Sequence, residues 1–167
     1  PDNILIQAVF VAPSQILLDT APLVMENDTD KIEALMTEAA NLPPYNLLMI
    51  ADTATDTEQV VYVTLVYASL DDAQTAIEVI PSRLETMQSI VTEQTYRELL
   101  ETRAVTDVIV NATIDESTGL ATAVLEFHAP LADNEPDDVF GYVSSSMVYR
   151  MMVDMVFRRD TNWLVTA

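Results

Sequence analysis

Residues 46–87, NLLMIADTATDTEQVVYVTLVYASLDDAQTAIEVIPSRLETM, hold the densest apolar signal in the chain and decide its fold. Leu47 to Ala51 and Val60 to Tyr67 are two short apolar runs separated by the polar insert Asp52–Glu58. Branched and aromatic side chains crowd positions 59–67, without Gly or Pro, and such residues suit a pleated surface. Apolar residues sit on both parities there, which predicts a central, well-covered strand. The insert is short enough to return the chain antiparallel. At Ser69 the apolar period changes from two to about 3.6, the period of a helix. Ser69 is placed to cap that helix, and Asp71 and Asp72 suit the positive end of its dipole. Ala73, Ala76, Ile77, Ile80, Leu84 and Met87 mark its buried face. Pro81 predicts either a kink or a second helix start.

Outward from this stretch, Ile4–Val11 reads as a short buried strand closed by Pro13. Residues 14–27 mix apolar side chains with Pro22 and yield no clear element beyond a short edge strand at Leu23–Met25. A helix capped by Asp28 or Thr29 runs to about Asn41, with Ile32, Leu35, Met36 and Ala39 on its apolar face. Pro43-Pro44 prevents its continuation. Thr95-Tyr-Arg-Glu98 is a capping-box pattern. A second hairpin follows: Val108, Val110, Ala112 and Ile114 alternate with polar residues, the turn is Asp115–Gly119, and Leu120–Ala129 returns. A last helix starts at Ser144 or Ser145 and runs to Phe157, with Arg150 and Asp154 as an i,i+4 pair. Trp163–Val165 reads as a final short strand.

This order predicts an α+β domain: an antiparallel sheet with helices packed on one face. It is ferredoxin-like, with an additional hairpin partner and a C-terminal helix. The 167 residues form a single domain with a weak internal pseudo-repeat, roughly 30–89 and 95–157. No apolar run is long enough to span a membrane.

Charge excludes most. With 27 Asp and Glu against seven Lys and Arg, the net charge is −20. Such a chain repels phosphate backbones, which argues against nucleic-acid binding, and it avoids anionic membrane surfaces. The plain reading of the acidity is a solvated surface; the sharper one is adaptation to salt or divalent ions. No cysteine is present, which removes disulfides, thiolate catalysis and Cys-ligated zinc. A single His excludes a multi-His metal site within one chain. Gly119 and Gly141 are the only glycines, so phosphate-cradling loops are absent.

Four constellations bear on chemistry. His128 shares strand parity with Glu126; this pair could be a general base with its orienter, or an exposed His beside an exposed Glu. Asp133, Glu135, Asp137 and Asp138 could offer oxygens to calcium, as less well could Glu26, Asn27, Asp28 and Asp30, but neither set matches an EF-hand loop. A solvated acidic loop is the simpler account of both. The methionines of the last helix allow a copper(I) reading, although adaptable core filling is the simpler account. That helix is apolar nearly all round, which predicts either a central position or an interaction surface through Met147, Tyr149, Met151 and Met155.

The expected function is therefore a non-catalytic interaction or structural domain with a protein partner or a second copy, and with no cofactor. The general look is similar to α+β modules found outside the bacterial cytoplasm, often as the soluble part of an anchored protein. That resemblance tilts the expected location outside the cytoplasm, although no motif ties it to a named family. The alternative is a small-molecule or calcium-binding domain, or a cofactor-free ferredoxin-like enzyme. Its pocket would draw on Tyr62, Tyr67, His128 and Tyr149.

Overall fold

Val61, Val63, Leu65 and Tyr67 point to one side of a central strand and are all essentially buried, which fixes where the core lies. The computed structural model describes residues 4–11, 13–55, 57–115, 118–130 and 147–166. Five strands form one sheet: β1 (Ile4–Val11), β2 (Leu47–Ala54), β3 (Glu58–Tyr67), β4 (Asp107–Ile114) and β5 (Ala121–Pro130). Their order is β1-β2-β3-β5-β4, with every neighbouring pair antiparallel. The helices are α1 (Pro13–Val24), α2 (Thr29–Ala39), α3 (Leu70–Thr86), α4 (Tyr96–Glu101) and α5 (Met147–Arg158), followed by a 3₁₀ turn at Asn162–Leu164.

The α+β class stands: a five-stranded antiparallel sheet with helices. The ferredoxin-like connectivity does not describe this sheet. It would place β1 beside β3, whereas β1 lies at one edge against β2 and β4 lies at the other. The cause is α1, unassigned from sequence. One crossover helix returns the chain to where a strand began and gives parallel strands. Two successive helices, α1 and α2, return it to where β1 ended, so β2 runs antiparallel to β1. Pro13 does not merely close β1; it heads α1, the one helical position where a missing N–H costs nothing. Leu23 and Val24 are accordingly helical, not an edge strand.

Between β3 and β4 the 17-residue α3 makes the crossover, with the six-residue α4 after it, and these two strands point the same way with β5 between them. Helix α3 runs unbroken through Pro81. Ser69 accepts the Asp72 N–H, and Thr95 and Glu98 complete the capping box of α4. Ala73 and Ala76 let α3 approach the sheet closely over β4 and β5, and Ile80 and Leu84 share one core with Leu125 and Phe127. Helix α5 lies over β2 on the same side, with Val148, Tyr149, Met152 and Met155 buried. Asp154 pairs with Arg158 at 2.6 Å rather than with Arg150. The segment Trp163–Val165 is not a strand: it belongs to the 3₁₀ turn and its exit, and it is core, with Trp163 against Tyr96 and Phe127. The opposite face of the sheet is less completely covered: Tyr62, Thr64 and Val124 are half-buried there, and Val9 and Ile109 are exposed.

Helices α1 and α2 form a second small cluster, in which Ala21, Met25, Leu35 and Ala39 close on Val165. Arg83 joins it to the main core. Its guanidinium, 2 % exposed, donates to the backbone oxygens of Glu38 and Val165, the latter at 2.8 Å, and reaches that of Trp163 at 3.5 Å. Burial pulls its pKa down, opposed by the nearby Glu38 carboxylate.

With glycine so scarce, ordinary residues adopt the left-handed conformation where helices end: Glu26 and Asn27 after α1, Ala104 after α4 and Arg159 after α5. Asn27 adopts it readily, because a short polar side chain of its type can hydrogen-bond locally; for the others the cost over glycine is about 1–2 kcal/mol each. Exposed Ala104 (φ 58°) is the cleanest case. Replacing it, Ala104→Gly, is expected to raise stability by up to about 1 kcal/mol after the extra flexibility of the unfolded chain is deducted. Arg83→Ala is expected to lower it by roughly 3 kcal/mol or more, because several carbonyls lose their donor at once. Arg83→Lys should recover only part of that loss. Urea denaturation measures all three; an Arg83→Ala variant as stable as the parent would show that the guanidinium is not the joint.

Candidate functional site

His128 and Glu126 come from alternate positions of β5 and lie on the same sheet face, as their parity requires. A third group, Glu58 at the start of β3, was not expected. His128 Nδ1 lies 3.2 Å from Glu58 Oε2, and Nε2 lies 3.4 Å from Glu126 Oε2. The Glu58 contact is a hydrogen bond; the Glu126 contact is close but not aligned as one, and Nε2 is sealed from solvent. Tyr62 faces Glu126 across the strands, and its pKa is raised first by burial and then by the Glu126 and Glu58 carboxylates. A general base needs a nitrogen that reaches its substrate. Here one nitrogen is bonded and the other is shut in against a carboxylate, so the trio fits a cross-strand clamp better than a proton shuttle. The two carboxylates also address opposite edges of the ring, so they share no centre with it that a metal could occupy.

The other expected groups are scattered. Tyr67 is fully buried on the helix side, against Tyr45, with its hydroxyl unpartnered and its pKa pushed up by burial. Tyr62 and His128 lie on the opposite face, so the pocket expected from Tyr62, Tyr67, His128 and Tyr149 does not converge. The surface expected on α5 is largely turned inward: Tyr149 and Met155 are core, and Met147 and Met151 are half-buried. Asp133, Glu135, Asp137 and Asp138 lie outside the described residues. Asp28 is already committed, since it caps α2 by accepting the Lys31 N–H and pairs with the Lys31 ammonium at 3.7 Å. Among the described residues no three ionisable side chains are grouped to hold a metal ion. An open trough of about 1000 Å³ runs between the α1–α2 turn and residues 87–93, with Glu26, Asp28 and Glu93 on its rim and Leu35 and Ile90 in its lining.

Two buried acids escaped the sequence. Asp160 accepts from Ser89 Oγ (2.6 Å), Tyr96 Oη (2.7 Å) and the Ile90 N–H (3.0 Å), tying residues 89–96 to the C-terminal segment. No periodicity announces it. Asp52 is 2 % exposed, belongs to β2 rather than the turn, and accepts from Gln59 Nε2 at 2.6 Å. It shares parity with Leu48 and Ile50, a signal that could have placed it on the helix-covered side. Burial raises its pKa, opposed by the Gln59 and Thr53 hydrogen bonds.

The remaining feature is an edge. Among the described residues β1 pairs only with β2, and it exposes side chains on both faces: Ile6 48 % and Val9 53 %, with Val11 71 %. The sequence had implied a buried strand there. Phe157 of α5, 74 % exposed, stands edge-on to Phe10 at 5.8 Å and extends this apolar margin.

What these features define is an α+β protein in which these ionisable groups are locked into the fold or dispersed, and whose β1 edge is apolar and free of charge, with Ile109 and Ile114 exposed on the opposite edge strand as well. Comparison with protein-family models, with the curated proteins and with the solved structures found no match.

Asp52 supplies a test of this electrostatics. A carboxyl with a raised folded pKa contributes most at low pH, and that contribution is lost as pH rises through the folded value. Asp52→Asn keeps an oxygen for Gln59 and removes the buried charge. The variant is expected to melt a few degrees above the parent near neutral pH, on the scale of about 2–4 °C per kcal/mol, with the gap closing as pH falls. Thermal melts across that range check it; a variant that melts lower at neutral pH would mean the charged form is the stabilised one.

Proposed function

We propose that this chain is a non-catalytic interaction domain that binds through the β1 edge of its sheet, as the soluble extracytoplasmic part of an anchored protein. The observation that carries this reading is the state of β1. An edge strand presents unpaired N–H and C=O groups, and proteins blunt such edges with charges, prolines or cover. Residues 4–11 contain no charge and no proline, and Ile4, Ile6, Val9 and Val11 are exposed. Strand addition would give backbone hydrogen bonds for affinity and alternate side chains for selectivity. The closed geometry at His128 and the burial of Asp52 and Asp160 support the non-catalytic part.

A photo-crosslinking residue in place of Val9, in the full chain in its own cells, is expected to give a discrete adduct. The same residue in place of exposed Asn111 on β4 is expected to give none. Adducts from both positions alike, or from neither, would end the proposal.

A further inference from the structure

We infer that the occupant of the β1 edge is β1 of a second copy of this chain, paired antiparallel across a two-fold axis so that two five-stranded sheets become one of ten. This rests on the reading of β1 as the docking edge and names its partner.

Charge selects the partner. Residues 3–18 are the longest stretch of the chain without an ionisable side chain, in a molecule of net charge −20. A basic partner drawn to so acidic a protein would meet no carboxylate on this strand. An uncharged apolar strand would be met in kind, and β1 is itself such a strand. Two copies can approach here without setting carboxylates opposite one another. The other edge is different: β4 begins at Asp107, whose Oδ1 already takes the Val108 N–H at 2.8 Å, and Asp115 follows its end. One edge is thus guarded by acid and the other is bare.

Geometry agrees. Antiparallel pairing of a strand with itself is self-complementary, as a two-fold interface requires. Centred on Ala8, it sets Ile6 of one copy opposite Phe10 of the other and Gln7 opposite Val9. Ile6 and Phe10 lie on the helix-covered side, because they align with Asp52 and Leu48 in β2. That register keeps both helical layers on one side of the joined sheet, where Phe157 flanks the seam from each copy. The irregularity between Ile4 and Ile6 leaves residues 6–10 as the regular stretch, with Ile6 and Phe10 as the outermost pair of this register.

The inference carries a distinctive salt dependence. Two chains of like charge repel, and raising salt from about 0.1 to about 1 M shortens the Debye length from about 10 to about 3 Å. Self-association through a neutral seam therefore tightens with salt, whereas a contact made by opposite charges loosens.

Sedimentation velocity on the full chain, over a wide concentration range at both salts, tests it. The expected result is a monomer–dimer equilibrium that tightens severalfold at the higher salt. Val9→Glu should abolish the dimer, since it puts a carboxylate from each copy at the seam. Ile109→Glu, a matched change on the opposite edge, should leave it intact, with circular dichroism confirming that both variants fold. Loss of the dimer in Ile109→Glu but not Val9→Glu, or a dimer that loosens with salt, overturns the inference. A monomer under every condition also overturns it. If the Val9 crosslink then leads to a different protein, the interaction reading survives without the second copy; if Val9 gives no crosslink, both fall.

Discussion

A guanidinium without solvent is the constraint around which this molecule is assembled. Arg83 sits near the end of α3 and has to find acceptors, because a buried charge left unpaired would cost several kcal/mol. It finds them in backbone carbonyls from α2 and from the C-terminal segment, with the Glu38 carboxylate 4.0 Å from Nε. Three parts of the chain far apart in sequence are thereby given one relative position. Asp160 is the negative counterpart on the same segment, holding residues 89–96 by a serine, a tyrosine and a backbone N–H. The segment between these two anchors carries Trp163, so the last residues described are core rather than tail.

Local rules were legible in the sequence wherever local physics decides. The β2–β3 and β4–β5 hairpins, the Ser69 cap, the Thr95–Glu98 box and the left-handed Gly119 all follow from residue type and spacing. What failed was long-range. Helix α1 carries Pro22 inside it and lacks a clean polar face, so its existence depends on packing against α2 and Val165. Missing that one helix reversed the direction of β2 relative to β1 and with it the topology. Residues Ile4–Val11 have the composition of a buried strand, and composition cannot distinguish a strand covered by its own fold from one left for something else. Of the candidate groups, Glu126 and His128 were paired correctly by parity, but Glu58, on another strand, was beyond any local pattern.

The acidity gains meaning from this distribution. A charge of −20 works against compaction through self-repulsion and against association with like molecules. The carboxylates are nonetheless not spread evenly, since β1 has none and β4 has one at its start and one just past its end. Charge at an edge is a device against unwanted strand addition. β4 thus has charge at its two ends, whereas β1, with Phe157 standing beside it, has none.

Glu58, His128 and Glu126 stand on β3 and β5, two inner strands that each have a neighbour on both sides: β2 and β5 flank β3, and β3 and β4 flank β5. Strands there are held on both sides by backbone hydrogen bonds, so a side-chain clamp adds register rather than existence. Like charges on neighbouring strands repel, and Glu58 and Glu126 would do so across Tyr62 and Val60. The His128 imidazole stands between them, hydrogen-bonded to Glu58 at Nδ1 and 3.4 Å from Glu126 at Nε2. It thereby lets the acidic composition continue across a partly buried face where bare carboxylates would weaken the ladder.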